Sequence, residues 1–183
     1  MNPHAHRADE VIEFWRDAGP ARWFEKDEAF DRTFRDRFLQ AHMAAASREL
    51  DNWTDTAAGT LALLVLLDQL PRNAFRGTAH MFATDPLARH FTRRLLDRGG
   101  DAEVEPGLRT FCYLPLMHSE DVQDQRDCVA LYERLGDAQS LHYAKLHLEA
   151  IERFGRFPHR NPVLGRTTTA AEQAYLDGGG FAG

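Results

Sequence analysis

Hydrophobic residues recur at helical spacing along nearly the whole chain. In segment 27–50, Phe30, Phe34 and Phe38 follow one another at intervals of four residues, which places them on one face of a helix. The same type of pattern is found in segments 9–18, 55–70, 85–98, 106–117, 119–136 and 138–154. No segment shows the alternation that is typical of a β-strand. The pattern therefore predicts an all-α protein of about seven to eight helices, arranged as antiparallel pairs.

Capping residues and prolines predict where several of these helices begin and end. Segment 55–70 is apolar almost all round, which predicts a central buried helix, and Pro71 is expected to end it. Ser119 is expected to cap the helix that follows it. Thr169 and Glu172 have the spacing of a capping box, which predicts a short last helix.

The chain has 183 residues, which predicts one helical domain over residues 1–183, with residues 1–8 and 178–183 as mobile tails. Its longest apolar run, Leu61 to Leu67, is too short for a membrane span, and no secretory signal is recognised. The two cysteines cannot form a disulfide framework. We therefore expect a cytoplasmic protein without a membrane partner.

Charge and motifs exclude several classes of function. The net charge of −6 argues against a nucleic-acid-binding protein. The sequence contains no phosphate-binding glycine loop and no zinc or calcium motif, and His4 and His6 lie in the first predicted tail. We therefore expect neither a cofactor nor a metal. The tryptophans suit either the core or a dimer interface, so that both a monomer and a homodimer remain open.

Segment 153–171 has four arginines and no acidic residue, so that it carries +4 in a protein of −6. Arginine clusters near a helix N-terminus favour binding of phosphate or carboxylate through paired N–H donors. The alternative is that these arginines pair internally with Glu120, Asp121 or Asp124. The cationic side chains of the segment are Arg153, Arg156, His159, Arg160 and Arg166.

Three further positions combine polar chemistry with helix ends or helix interiors. His118 stands next to Ser119 and near two carboxylates, which suits a general acid or base, although capping alone explains its acidic neighbours. Asp68 interrupts the apolar central helix and needs a partner, which is either Arg72 or an arginine of the 153–166 loop. Asp68 is read either as a pocket floor or as a satisfied helix end. His147 shares a face with core residues, which favours a satisfied core histidine over a ligand.

Three long strings in the chain resemble a known family. LDQLPRNAFRGTAHMFATDPLA (67–88), FCYLPLMHSEDVQDQ (111–125) and RFGRFPHRNPVLGRTTTAAEQAYL (153–176) are similar to domain of unknown function 924, a mostly bacterial group. The resemblance extends over residues 10–177. It implies a tetratricopeptide-like α-α superhelix, and it implies no activity.

These observations favour a protein that binds a small anionic molecule, either phosphate or carboxylate, in a pocket of arginines and histidines. One alternative is a hydrolase or transferase at the same pocket, with His118 or His159 as acid or base and Glu120 as a further catalytic candidate. Another is a protein-interaction scaffold whose arginine–carboxylate motifs are purely structural. The candidate ligand-binding residues are Asp68, Arg72, Asn73, His118, His147, Arg156, His159, Arg160, Asn161 and Arg166.

Overall fold

The computed structural model describes residues 7–183, which are helical and contain no strand. Seven α-helices of this range have eight or more residues, and the expected all-α class is confirmed. The tetratricopeptide-like arrangement stays a prediction. His4, His6 and most of the first predicted tail lie outside the described residues.

The α-helices follow one another with short 3-10 turns between some of them. They are α1 (Ala8–Ala18), α2 (Pro20–Trp23), α3 (Glu28–Ala46), α4 (Ala57–Leu64), α5 (Leu70–Ala74), α6 (Asp85–Asp97), α7 (Leu114–Met117), α8 (Val122–Leu135), α9 (Ala138–Phe154) and α10 (Ala170–Asp177). The 3-10 turns are Asp51–Asp55, Ala79–Phe82, Gly100–Glu103, Pro106–Cys112 and Pro158–Arg160. No helix within residues 7–183 is long and apolar enough to cross a membrane.

The described chain divides into two compact units. Unit 1 comprises residues 7–76 and 80–115, and unit 2 comprises residues 77–79 and 116–183. Each unit has its own group of packed apolar side chains. The assignment of the whole chain to a single domain stays a prediction.

The core of unit 1 is rich in aromatic rings. Trp15 of α1 is fully buried, and its ring lies 5.2 Å from that of Phe34 and 5.3 Å from that of Phe111. The predicted stripe of α3 is buried as expected, with Phe30 and Phe38 only 7% and 3% exposed. Burial of each such side chain stabilises the fold by about 1.5–3 kcal/mol. The stripe is therefore core packing.

The central helix of unit 1 continues through Pro71, so the prediction that Pro71 ends it is wrong. Proline has no N–H, which leaves the carbonyl of Leu67 without its usual helical donor. The hydroxyl of Thr84 donates to this carbonyl at 2.5 Å. Because a side chain from outside the helix supplies the missing hydrogen bond, α5 extends to Ala74.

A π turn at Val65–Gln69 joins α4 to α5. Here the N–H of Leu70 bonds to the carbonyl of Val65, five residues back. This leaves the carbonyl of Leu66 for the imidazole of His42, whose Nδ1 lies 2.9 Å away. Burial lowers the pKa of His42, so the imidazole is neutral and Nδ1 carries the hydrogen that it donates. Side chains from other elements thus complete the hydrogen bonds of the turn.

Unit 2 is built around the packed pair α8 and α9. Asp121 is the N-cap of α8 and accepts from the N–H groups of Gln123 and Asp124. The predicted cap, Ser119, instead donates its hydroxyl to the buried carboxylate of Asp124 at 2.7 Å. The helix therefore begins two residues later than expected from Ser119, because the carboxylate of Asp121 bonds the first free N–H groups.

The remaining helices of unit 2 begin where the sequence predicts. Asp137 caps α9, and the helix ends at Phe154 as expected. Thr169 and Glu172 form the predicted capping box of α10. Phe157 and Tyr175 pack with α9 residues in the apolar core of this unit.

Candidate functional site

The structure separates the ten candidate ligand-binding residues into two groups, which we describe one at a time. Unit 1 contains Asp68, Arg72 and Asn73. Unit 2 contains His118, His147, Arg156, His159, Arg160, Asn161 and Arg166.

In unit 1, Asp68 is 1% exposed and lies in the π turn. It accepts a hydrogen bond from the amide of Gln69 at 2.6 Å and lies 3.2 Å from Nη1 of Arg72, its predicted partner. Arg72 also donates two hydrogen bonds to Asp85, at 2.9 and 3.0 Å. The guanidinium is therefore shared by two carboxylates, and it holds the start of α6 to the central helix.

Asn73 takes part in a second set of hydrogen bonds between helices of unit 1. Its amide donates to Asp31 of α3 at 2.6 Å. Arg76 donates to the same carboxylate through Nε at 2.6 Å and Nη2 at 3.1 Å. These contacts join α5 and the following Arg76 to α3.

In unit 2, Glu120 joins two segments. Its carboxylate accepts both Nη groups of Arg166 at 2.8 Å, and it also accepts the N–H of Phe157 at 2.9 Å. Burial alone would raise the pKa of Glu120, but the hydrogen bonds from Arg166 and Phe157 outweigh it and lower the pKa. The internal pairing that the sequence left open is thus present for Arg166.

Arg156 is engaged in the same manner by an acid that the sequence analysis assigned only to helix capping. It donates to Glu172 through Nε at 2.6 Å and Nη2 at 2.9 Å, and to the carbonyl of Thr167 at 2.9 Å. The hydrogen bond from Arg156, followed by that from the Thr169 N–H, lowers the pKa of Glu172 to about 2. This ion pair fastens the start of α10.

Asn161 is fully buried in the segment between these two ion pairs. Its backbone carbonyl accepts the N–H of Arg166 at 2.8 Å, and its amide donates to the hydroxyl of Thr168 at 3.4 Å. The residue therefore shapes the loop that carries Arg166.

Three histidines of unit 2 meet around two aromatic rings. The ring centroid of His147 lies 6.2 Å from that of His118, 5.4 Å from that of Phe157 and 4.0 Å from that of Phe181. His159 lies 5.6 Å from Phe157 and 5.2 Å from Phe181. Residues from four separate segments thus form one compact group.

Arg160 adds a permanent positive charge to this group. It is 6% exposed, and its Cζ lies 4.5 Å from the centroid of the Phe157 ring, within the range of a cation–π contact. We call His118, His147, His159 and Arg160 the histidine cluster. It has three titratable imidazoles and one guanidinium in a half-buried to buried setting.

The pKa of His147 reflects the electrostatic environment inside the cluster. Its Nδ1 lies 2.8 Å from the carbonyl of Tyr143, so this nitrogen carries the hydrogen and Nε2 is left as the acceptor. Burial first, and then the positive charges of His118, Arg160 and His159, lower its pKa to about 3. The interior of the cluster therefore has a positive potential that opposes a further proton.

The sequence analysis missed the two phenylalanines that organise the cluster. Phe157 had a signal, because it is an apolar residue inside the arginine-rich segment and next to the proline that precedes His159. Phe181 follows three glycines, and no pattern in the sequence marks it as part of a site. Its position becomes visible only in the folded chain.

Cys112 and Cys128 are both buried, and burial raises the pKa of Cys112 to about 12 and that of Cys128 further still. Within residues 7–183, no three histidine, cysteine or carboxylate side chains are grouped as metal ligands.

Comparison with known proteins gives a family and a related structure. The model of DUF924, described as a bacterial protein of unknown function, matches residues 11–180. A solved structure, the protein of unknown function ATU0120 from Agrobacterium tumefaciens, is similar with 53% identity and a TM-score of 0.91, over 93% of this chain and 97% of that one. A search among curated proteins found no match. The resemblance noted in the three sequence strings is therefore confirmed, and the chain belongs to the DUF924 family.

Proposed function

We propose that the histidine cluster of unit 2 binds a small anion of the phosphate or carboxylate class. The observation that carries this proposal is the grouping of three imidazoles and one guanidinium: His147 and His159 lie against Phe181, His118 lies beside His147, and Arg160 lies against Phe157. Burial is the main cause of the lowered pKa of His147, and an anion placed there would offset the positive charges of its neighbours, which lower this pKa further. The guanidinium of Arg160 and the imidazole N–H groups of His118 and His159 are also suitable hydrogen-bond donors for such a ligand.

The proposed site is smaller than the set of ten residues chosen from the sequence. Arg72, Arg156 and Arg166 each donate to a carboxylate of their own unit, which supports a structural role for them. Asp68 pairs with Arg72, and Asn73 donates to Asp31, which supports a structural role for these two residues as well. The hydrolase or transferase and the interaction scaffold stay predictions.

Anion binding at imidazoles has a characteristic pH dependence. Protonated imidazoles attract an anion more strongly than neutral ones, so ligand affinity should rise as the pH falls. By linkage, the anion raises the affinity of the cluster for protons. Phosphate binding should therefore be accompanied by proton uptake.

The test is calorimetric titration of inorganic phosphate and of citrate, together with thermal unfolding in the same ligands. At 100 times its dissociation constant a ligand stabilises the native state by about 2.7 kcal/mol, which raises the melting temperature of a chain of this size by about 5–10 °C. We expect this shift to be lost in His159→Gln. His142→Gln, an exposed change on α9, is the matched control and should retain it.

The proposal is contradicted if neither ligand binds the unsubstituted protein. It is also contradicted if His159→Gln and His142→Gln bind phosphate equally well, because binding would then occur elsewhere.

A further inference from the structure

The segment that follows α10 passes over the histidine cluster. We call residues 178–181 the glycine strap. The N–H of Gly180 donates to the carbonyl of Tyr175 at 2.9 Å, and the N–H of Phe181 donates to the hydroxyl of Tyr175 at 2.9 Å. These two hydrogen bonds place the ring of Phe181 against His147.

Two of the glycines are needed for this path. A Cβ at Gly180 would lie 2.5 Å from ring atoms of Tyr175. Only glycine therefore allows the backbone at position 180 to lie this close to the ring. Gly179 has a φ of +82°, a conformation that side chains disfavour. The close approach brings Phe181 down onto the cluster.

The strap covers the cluster but buries little surface of its own. Phe181 is half-buried, while Gly178 and Gly179 are exposed, and glycine allows the backbone many alternative conformations. In contrast, His147 beneath the ring is only 6% exposed. Elements with little buried surface and exposed backbone open with small free energies, whereas the core of the unit does not.

We propose that Phe181 is a gate: its ring closes the histidine cluster at His147 and His159, and displacement of the glycine strap opens the cluster to a ligand. The identity of that ligand, a small anion, rests on the proposed function. The gate itself concerns the accessibility of the two imidazoles and can be tested without any ligand.

The test is chemical modification of the intact protein with diethyl pyrocarbonate, with the rate at each histidine followed by mass spectrometry. A minor open state is populated at about 10% or less, so Phe181→Ala should accelerate modification of His147 and His159 by at least about tenfold. His142, exposed on α9, should react at the same rate in all variants.

Leu176→Ala is the matched control, because it removes another half-buried apolar side chain from the same core of unit 2. Its modification rates at His147 and His159 should stay at those of the unsubstituted protein. Equal rates in Phe181→Ala and the unsubstituted protein would overturn the gate. Equal acceleration in both variants would also overturn it, because it would show a general loosening of unit 2.

Inorganic phosphate separates this proposal from the proposed function. We expect phosphate to slow modification of His147 and His159 in Phe181→Ala, and to associate faster with this variant than with the unsubstituted protein. If modification accelerates but phosphate gives no protection, the gate stands and anion binding at the cluster is refuted.

Discussion

His147 should make the stability of the protein sensitive to mild acid. In the native state its pKa is lowered to about 3, first by burial and then by the neighbouring positive charges, whereas an imidazole in an unfolded chain has a pKa of about 6.5. Between these values the unfolded state binds a proton that the native state does not, so stability falls as the pH falls. At about pH 5 this proton uptake favours unfolding by about 2 kcal/mol, against less than about 0.1 kcal/mol at about pH 7.5.

The assay is urea unfolding of the unsubstituted protein and of His147→Gln at both pH values. Other titrating groups contribute to both proteins, so the informative quantity is the difference between their free energies of unfolding. We expect this difference to change by about 2 kcal/mol between the two pH values, in the direction of a relatively more acid-stable variant.

His142→Gln provides the control, since it removes an exposed imidazole from the same helix. It should retain the acid-sensitive component that His147 contributes. If His147→Gln loses as much stability as the unsubstituted protein between about pH 7.5 and pH 5, then His147 accepts a proton in the native state, and the argument from burial is wrong.

Two further predictions concern an ion pair of unit 2 and a buried hydrogen bond of unit 1. A double-mutant cycle with Arg166→Met and Glu120→Gln should give a coupling energy of about 1–2 kcal/mol, because the pair is bidentate and partly screened from water. Thr84→Val should cost about 1–3 kcal/mol, because it leaves the buried carbonyl of Leu67 without a donor. The cost should fall in a Pro71→Ala background, which restores a backbone N–H in the helix.

Each of these predictions has a control in the same unit. The exposed pair Lys145–Glu133 of unit 2, at 3.6 Å, should show a coupling below about 0.5 kcal/mol. Thr33→Val of unit 1 removes an exposed hydroxyl that donates to a carbonyl within α3, and should change stability by less than about 0.5 kcal/mol. Coupling energies that match between the two ion pairs, or equal costs for the two threonines, would contradict the roles assigned here.

The sequence predicted helices best where the stop and start signals are local. Helix α9 runs between the cap Asp137 and Gly155 as expected, because both signals act through the backbone of adjacent residues. The prediction that the helix ends at Pro71 was wrong, because the hydrogen bond that allows the helix to continue comes from Thr84, thirteen residues later. No local pattern contains that information.

The candidate site was predictable in its residue types and only partly in its pairings. The spacing of four residues on a helix indicated Arg72 as one of two possible partners of Asp68, and the structure shows this pair. The partner of Arg156 required knowing that α10 packs against the 158–160 turn. The meeting of His118, His147 and Phe181 depends on three segments that are distant in sequence, so only the fold reveals it.

The most direct test of the proposed site is a phosphate titration followed by nuclear magnetic resonance of the histidine rings. We predict saturable shifts of the ring resonances of His118, His147 and His159 with one common dissociation constant, while those of the exposed His142 stay unchanged. If the resonances of the three clustered imidazoles do not respond, or if those of His142 move with them, the histidine cluster is not an anion site.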